Sequence, residues 1–104
     1  MADPLHDKSY EIFRLMLIDA RIARDLQQVE LAELLKKPQS YVSKSESGVR
    51  RVDFAEFMSF AAALDIDIGE FSNQYRLKVA NISPDQIQSA TIPRPRKVMK
   101  KRVE

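Results

Sequence analysis

From Ser9 to about Asp25 the chain carries neither glycine nor proline, and its apolar residues return every three or four positions. Tyr10, Phe13, Met16, Leu17, Ala20 and Ala23 then share one side of a helix, a face that a strand's period of two could not bury. No later stretch up to about residue 78 alternates as a strand would, so the fold class is all-α. Ser9 is the expected cap of this first helix. Residues 1–8, with Pro4 among them, read as a flexible leader. Leu15, Ile18 and Ile22 form a second stripe on another side of the helix. It serves either as extra core or as a contact for a partner or the tail.

Four shorter helices follow. One runs from about Gln28 to Lys36, with Val29, Leu31, Ala32 and Leu35 facing inward. The next covers roughly Gln39 to Ser47, and Gly48 stands where a left-handed residue ends a helix at little cost. "DFAEFMSFAAAL" reads as a fourth helix, in which Asp53 and Glu56 have capping-box spacing. Its expected inner face is Phe54, Phe57, Met58, Ala61 and Leu64. "DIGEF" repeats the cap with Asp67 and Glu70 and opens a fifth helix that buries Ile68, Phe71 and Tyr75. Five short helices with tight connections make a compact domain over residues 9–78. Beyond it, residues 79–104 change character. "ISPDQIQ" could open a short helix after Ser83, and "TIPRPRKVMKKRVE" carries two prolines and six bases and reads as extended or disordered.

A chain of 104 residues suits a single domain with a tail. It has no cysteine, so neither a disulfide framework nor a thiolate metal site is available. The start lacks the layout of a signal peptide, and Arg14, Asp19 and Arg21 interrupt the longest apolar stretch. A cytoplasmic protein without membrane contact is expected. The net charge of +2 says little, but its distribution says more. Residues 36–51 hold Lys36, Lys37, Lys44, Arg50 and Arg51 against Glu46 alone. Residues 53–70 hold Asp53, Glu56, Asp65, Asp67 and Glu70 without a base, and the tail is basic again. A basic middle steers polyanions, although solvated surface charge gives the same composition.

The polar helix in that basic middle carries the functional signal. "QQVELAELLKKPQSYVSKSESG" resembles the helix-turn-helix of the lambda-repressor/Cro-like, or XRE, family. The matching elements are Gln28 opening the second helix, Leu31-Ala32, the turn at Lys36–Pro38, the polar run Gln39 to Lys44, and Glu46-x-Gly48. The likeness extends from about Phe13 to Phe71. It implies a compact five-helix DNA-binding domain with a C-terminal basic extension. It also implies base contacts from Gln39, Ser40 and Lys44, with phosphate held by Gln28 and Ser43. The resemblance further pairs Arg21, near the end of the first helix, with Glu46 as a structural ion pair.

The residue chemistry agrees. Lys44 lies four positions after Ser40, and Gln39 is in the first turn, so the three share a face. In the major groove a glutamine can bond adenine and a lysine can reach guanine acceptors, each good pair contributing about 1–3 kcal/mol of discrimination. Arg50 and Arg51, just after the helix, are placed to clamp the backbone, which fixes register rather than sequence. Tyr41 either touches the backbone or covers the second helix. Two residues break the family pattern. Pro38 replaces an oxygen-bearing cap, a loss of about 1 kcal/mol, yet proline is tolerated in a helix's first turn. Ser45 replaces an apolar core residue, and its hydroxyl can bond a carbonyl one turn back. The glycines usual in the two preceding turns are also absent, Asp25-Leu26 and Lys36 standing there.

Nothing points to catalysis or a cofactor. His6 is the sole histidine, Ser43 and Ser45 have no base to activate them, and the two glycines form no phosphate loop. Asp65 and Asp67 are more simply a solvated loop residue and a cap than a cation site. The expected function is a DNA-binding transcriptional regulator, a repressor acting as a homodimer on double-stranded DNA. One alternative is an antitoxin that represses its own operon and folds its tail onto a toxin. Another is a protein-interaction module that keeps the scaffold without DNA. Lys97, Lys100, Lys101 and Arg102 in the tail could also follow phosphates non-specifically.

Overall fold

The computed structural model describes residues 4–82, with side chains from Lys8 onward. The tail beyond Ile82, with its four candidate phosphate-following bases, and the first three residues lie outside the described residues. Within them the chain forms α1 (Pro4–Ala23), α2 (Gln28–Leu35), α3 (Gln39–Ser47), α4 (Phe54–Leu64) and α5 (Ile68–Ala80). The domain is all-α, and among the described residues no strand occurs.

α1 starts a full turn earlier than expected, at Pro4 rather than after Ser9. Residues 4–8 are therefore helix and not leader, and Ser9 is an interior residue instead of a cap. The physical reason is that a proline in the first turn removes only an amide that would be unpaired anyway. α1 ends at Ala23, two residues short of the expected Asp25, which takes a left-handed φ of 58° in the turn.

The core sits where α1, α2, α3 and α4 meet. Leu17, Leu31, Ala32, Val42, Val52, Phe57, Phe60, Ala61 and Leu64 form one buried cluster. α5 closes the open side of α1 through an aromatic triad. The Phe57 and Phe71 rings stand 5.0 Å apart, and Phe13 lies 5.5 Å from Phe57 and 6.0 Å from Phe71. Four residues expected in the core are on the surface: Ala23, Val29, Met58 and, at 71% exposure, Phe54. Phe60, at 1% exposure, takes the central place in α4 instead. α4 is apolar on almost every side, so two faces fit the helical period equally well and only packing selects one. The Leu15/Ile18/Ile22 stripe is not extra core at its ends, since Leu15 and Ile22 are exposed.

Capping accounts for the tight connections. Asp53 accepts the Glu56 N–H at 2.8 Å and Glu56 accepts the Asp53 N–H at 3.0 Å, the reciprocal box expected for α4. At α5 the Asp67 carboxylate accepts the Glu70 N–H at 2.9 Å. Three arginines, two on α1 and one just past its end, bond backbone carbonyls, two of them at the ends of other helices. Arg14 donates to the Glu46 carbonyl at the end of α3. Arg24 donates to the Leu64 carbonyl at the end of α4, at 2.9 Å, and Arg21 to the Leu26 carbonyl, at 2.7 Å. Cations at helix C-termini complement the partial negative charge there.

Candidate nucleic-acid interface

α3 begins without a side-chain cap and ends on a left-handed glycine, with Arg14 on one of its last carbonyls. Pro38 stands at its N-cap in extended conformation, and its carbonyl accepts the Tyr41 N–H at 2.9 Å. Gly48 ends the helix at φ 90°, left-handed backbone that an L side chain rarely adopts. The turn before α3 uses Lys36 at φ 60°, so the position where the family favours glycine keeps its geometry without one. The cost of a non-glycine residue there is about 1 kcal/mol.

One side of α3 is buried through Val42, Ser45 and Glu46. The Ser45 hydroxyl donates to the Tyr41 carbonyl at 2.7 Å, the back-bond that lets a polar residue occupy an apolar site. Gln39, Ser40 and Lys44 are exposed together on the outer side, and Ser43 is half-buried between the two. The three expected base-reading residues are therefore outside the core and on a common surface.

The two flanks of this surface differ. On the first, Arg21 and Glu46 form a bidentate pair, with Nε to Oε2 at 2.6 Å and Nη2 to Oε1 at 3.0 Å. The side chains are 13% and 7% exposed. Gln28 donates from Nε2 to Glu46 Oε1 at 2.9 Å, and its Oε1 accepts from Gln39 Nε2 at 3.3 Å. A chain of hydrogen bonds thus leads from a buried ion pair to the first exposed residue of α3. Gln28, expected to hold phosphate, has its carboxamide turned to Glu46 and Gln39.

On the second flank Tyr41 stacks on Phe60, ring centroids 6.1 Å apart, so its ring packs inward against α4. Lys37 lies 5.1 Å and Arg50 4.4 Å from its centroid, within cation–π range. Burial raises the Tyr41 hydroxyl pKa first, and the neighbouring Glu56 carboxylate raises it further. Arg50 holds Glu56 through Nη2 to Oε2 at 2.9 Å and Nη1 to Oε1 at 3.3 Å. Arg51 goes elsewhere: its guanidinium covers the Tyr10 ring of α1 at 4.1 Å. The two arginines expected as adjacent clamps thus diverge.

Sequence reasoning missed Arg14, Gln28 as a brace, Glu56 as the partner of Arg50, and the stacking of Tyr41 on Phe60. Arg14 had a legible signal, since it stands seven residues before Arg21 and so on the same face of α1. The others depend on which side chains neighbouring helices bring together.

A short helix, a tight turn and a second helix with one face buried and the other polar define a helix-turn-helix domain. A helix-turn-helix family model, HTH_3, matches residues 17–71, more than half the chain. The chain therefore belongs to this lambda-repressor-like, XRE-type family of DNA-binding regulators. No curated protein matches the chain. Among the described residues no helix is long and apolar enough to cross a membrane.

Proposed function

We propose that this DNA-binding regulator is a sequence-specific repressor that works as a homodimer on a pseudo-palindromic site. α3 enters the major groove, Gln39, Ser40 and Lys44 read base edges, and α2 braces it against the backbone. The observation that carries this reading is the exposed trio on α3 opposite a buried Val42/Ser45/Glu46 side. The Gln28 brace adds to it, because a positioned carboxamide loses less freedom on binding a base. Ser43, Lys37 and the chain around Arg50 border this surface and supply phosphate contacts, which fix register.

A nine-residue helix reaches only a few base pairs. Two copies set about 34 Å apart on one face of the duplex extend the site and make its sequence symmetric. Leu15 and Ile22 on α1 and Leu77 on α5 are exposed apolar side chains suited to such an interface.

Selection of bound sequences from random duplex DNA tests the reading, with sedimentation of the complex for stoichiometry. The expected result is a symmetric site whose two halves lie one helical turn apart. Q39A and K44A should each relax preference at one base position per half-site while far-ultraviolet circular dichroism is unchanged. With about six phosphates neutralised per dimer, log affinity falls against log salt with a slope of about −5. Recovery of no enriched sequence, or equal binding by wild type and a Q39A/K44A double variant, overturns sequence-specific reading.

A further inference from the structure

We propose that Glu56 sets the DNA affinity of the domain by withholding Arg50 from phosphate: the α4 carboxylate occupies the guanidinium fork on the flank of the recognition helix. The inference rests on the DNA-reading role proposed above. Arg50 is two residues past Gly48, and its backbone N–H donates to the Lys44 carbonyl at 3.1 Å. That bond fixes its backbone at the end of α3, and its side chain reaches the Tyr41 ring, the Ser45 hydroxyl and Glu56 of α4. Lys37 approaches the same Tyr41 ring from the turn before α3. Cations at this edge are where a phosphate would be met.

Yet both terminal nitrogens of Arg50 are committed to the Glu56 carboxylate, and Nη1 also lies 3.5 Å from the Ser45 hydroxyl. One face of the guanidinium is covered by Tyr41. The fork that would take a phosphate bidentately is thus filled by a carboxylate of matching shape. A phosphate must displace Glu56 to gain it, and an arginine already neutralised releases no additional counterion. Glu56 is fixed for this role by the Asp53 N–H at 3.0 Å, and both partners are only partly exposed. The hydrogen bonds from Arg50 hold the Glu56 carboxyl below the usual carboxylate range, so it stays charged at neutral pH.

Glu56→Gln tests this. Glutamine keeps the capping box, because its amide oxygen still accepts the Asp53 N–H. Its amide nitrogen sets donor against donor at Arg50. Affinity is measured against salt on the selected duplex and on a random duplex for wild type, E56Q, R50Q and the R50Q/E56Q double variant, with thermal melts to verify folding. E56Q is expected to tighten binding roughly threefold to tenfold per protomer at about 50 mM salt, on both duplexes, and to steepen the salt slope by about 0.9 per protomer. R50Q alone should change little, and in the double variant the gain should vanish. Weaker binding by E56Q would mean that Glu56 presents Arg50 to DNA, and overturns the inference. A gain that survives in the double variant also overturns it, as it reports only the change in net charge. If wild type binds no duplex, the DNA-reading role itself fails; if it binds and the cycle shows no coupling, only the role of Glu56 fails.

Discussion

The two flanks of α3 are built from the same kinds of residue and behave differently. One holds Arg21, Glu46, Gln28 and Gln39, and the other Arg50, Glu56, Tyr41 and Ser45. Each centres on a bidentate arginine–glutamate pair with closest contacts of 2.6 Å and 2.9 Å. The first pair lies under the helix among buried residues, and its hydrogen bonds continue outward to the exposed face. The second lies half in solvent and leads inward, to a tyrosine stacked on the core. The same pair chemistry is thus a structural anchor on one side and an adjustable charge on the other. Burial makes the difference: a charge left unpaired is costly where water cannot reach it and cheap where it can.

That contrast is sharpest when a partner is removed. Glu46→Ala leaves the Arg21 guanidinium buried without its carboxylate and should destabilise the domain by about 3–5 kcal/mol in urea unfolding. Arg50→Ala should shift the urea midpoint far less, since solvent screens the pair that it removes. Equal losses for the two variants would erase the distinction between the flanks.

Smaller effects follow at the helix ends and along the brace. Gly48→Ala forces a Cβ onto backbone at φ 90°, with the Arg14 Nε only 3.4 Å away, and should lower stability by about 1–2 kcal/mol. Gln28→Ala removes a hydrogen bond to a charged acceptor and should cost about 1–2 kcal/mol. The same variant frees Gln39, so discrimination at its base should drop further than thermal stability suggests, measured by competition between the preferred site and a site altered at that base.

The second flank should also announce itself in acid. Glu56 has a depressed pKa when folded, caused first by Arg50 and then by the Asp53 N–H. A depressed carboxyl contributes stability that is present above its unfolded pKa, about 4.3, and is lost as pH falls through the folded value. Stability measured below about pH 4.3 should therefore decline less steeply in E56Q than in wild type. An identical acid limb in the two proteins would show that Glu56 does not contribute to it. Smallest of all, Ser45→Ala removes a back-bonded hydroxyl from a site suited to an apolar side chain, and its effect on the melting transition should stay within about 1 kcal/mol.

Periodicity and punctuation made the helices legible. Gly48, Asp53 and Asp67 mark helix boundaries through local backbone chemistry, which acts within a few residues and so can be read along the chain. The Arg21–Glu46 pair was legible through the family likeness, and the polar run of α3 through its sequence against two apolar neighbours. The inner face of α4 was not, because Phe54 and Phe60 both satisfy the helical period in an almost wholly apolar segment. Neither was the start of α1, where Pro4 looks like a break and acts as a first-turn residue.

By itself the sequence determined the number of helices, their order and the side of α3 that carries Gln39, Ser40 and Lys44. These follow from interactions over one or two turns, where spacing in sequence is spacing in space. Only the tertiary structure decided that Gln28 turns to Glu46 and Gln39, that Arg50 is held by Glu56, and that Arg51 leaves for Tyr10. Those partners lie 18, 11, 6 and 41 positions apart along the chain, and a flexible side chain chooses among charges and rings that only the packing of whole helices brings within reach.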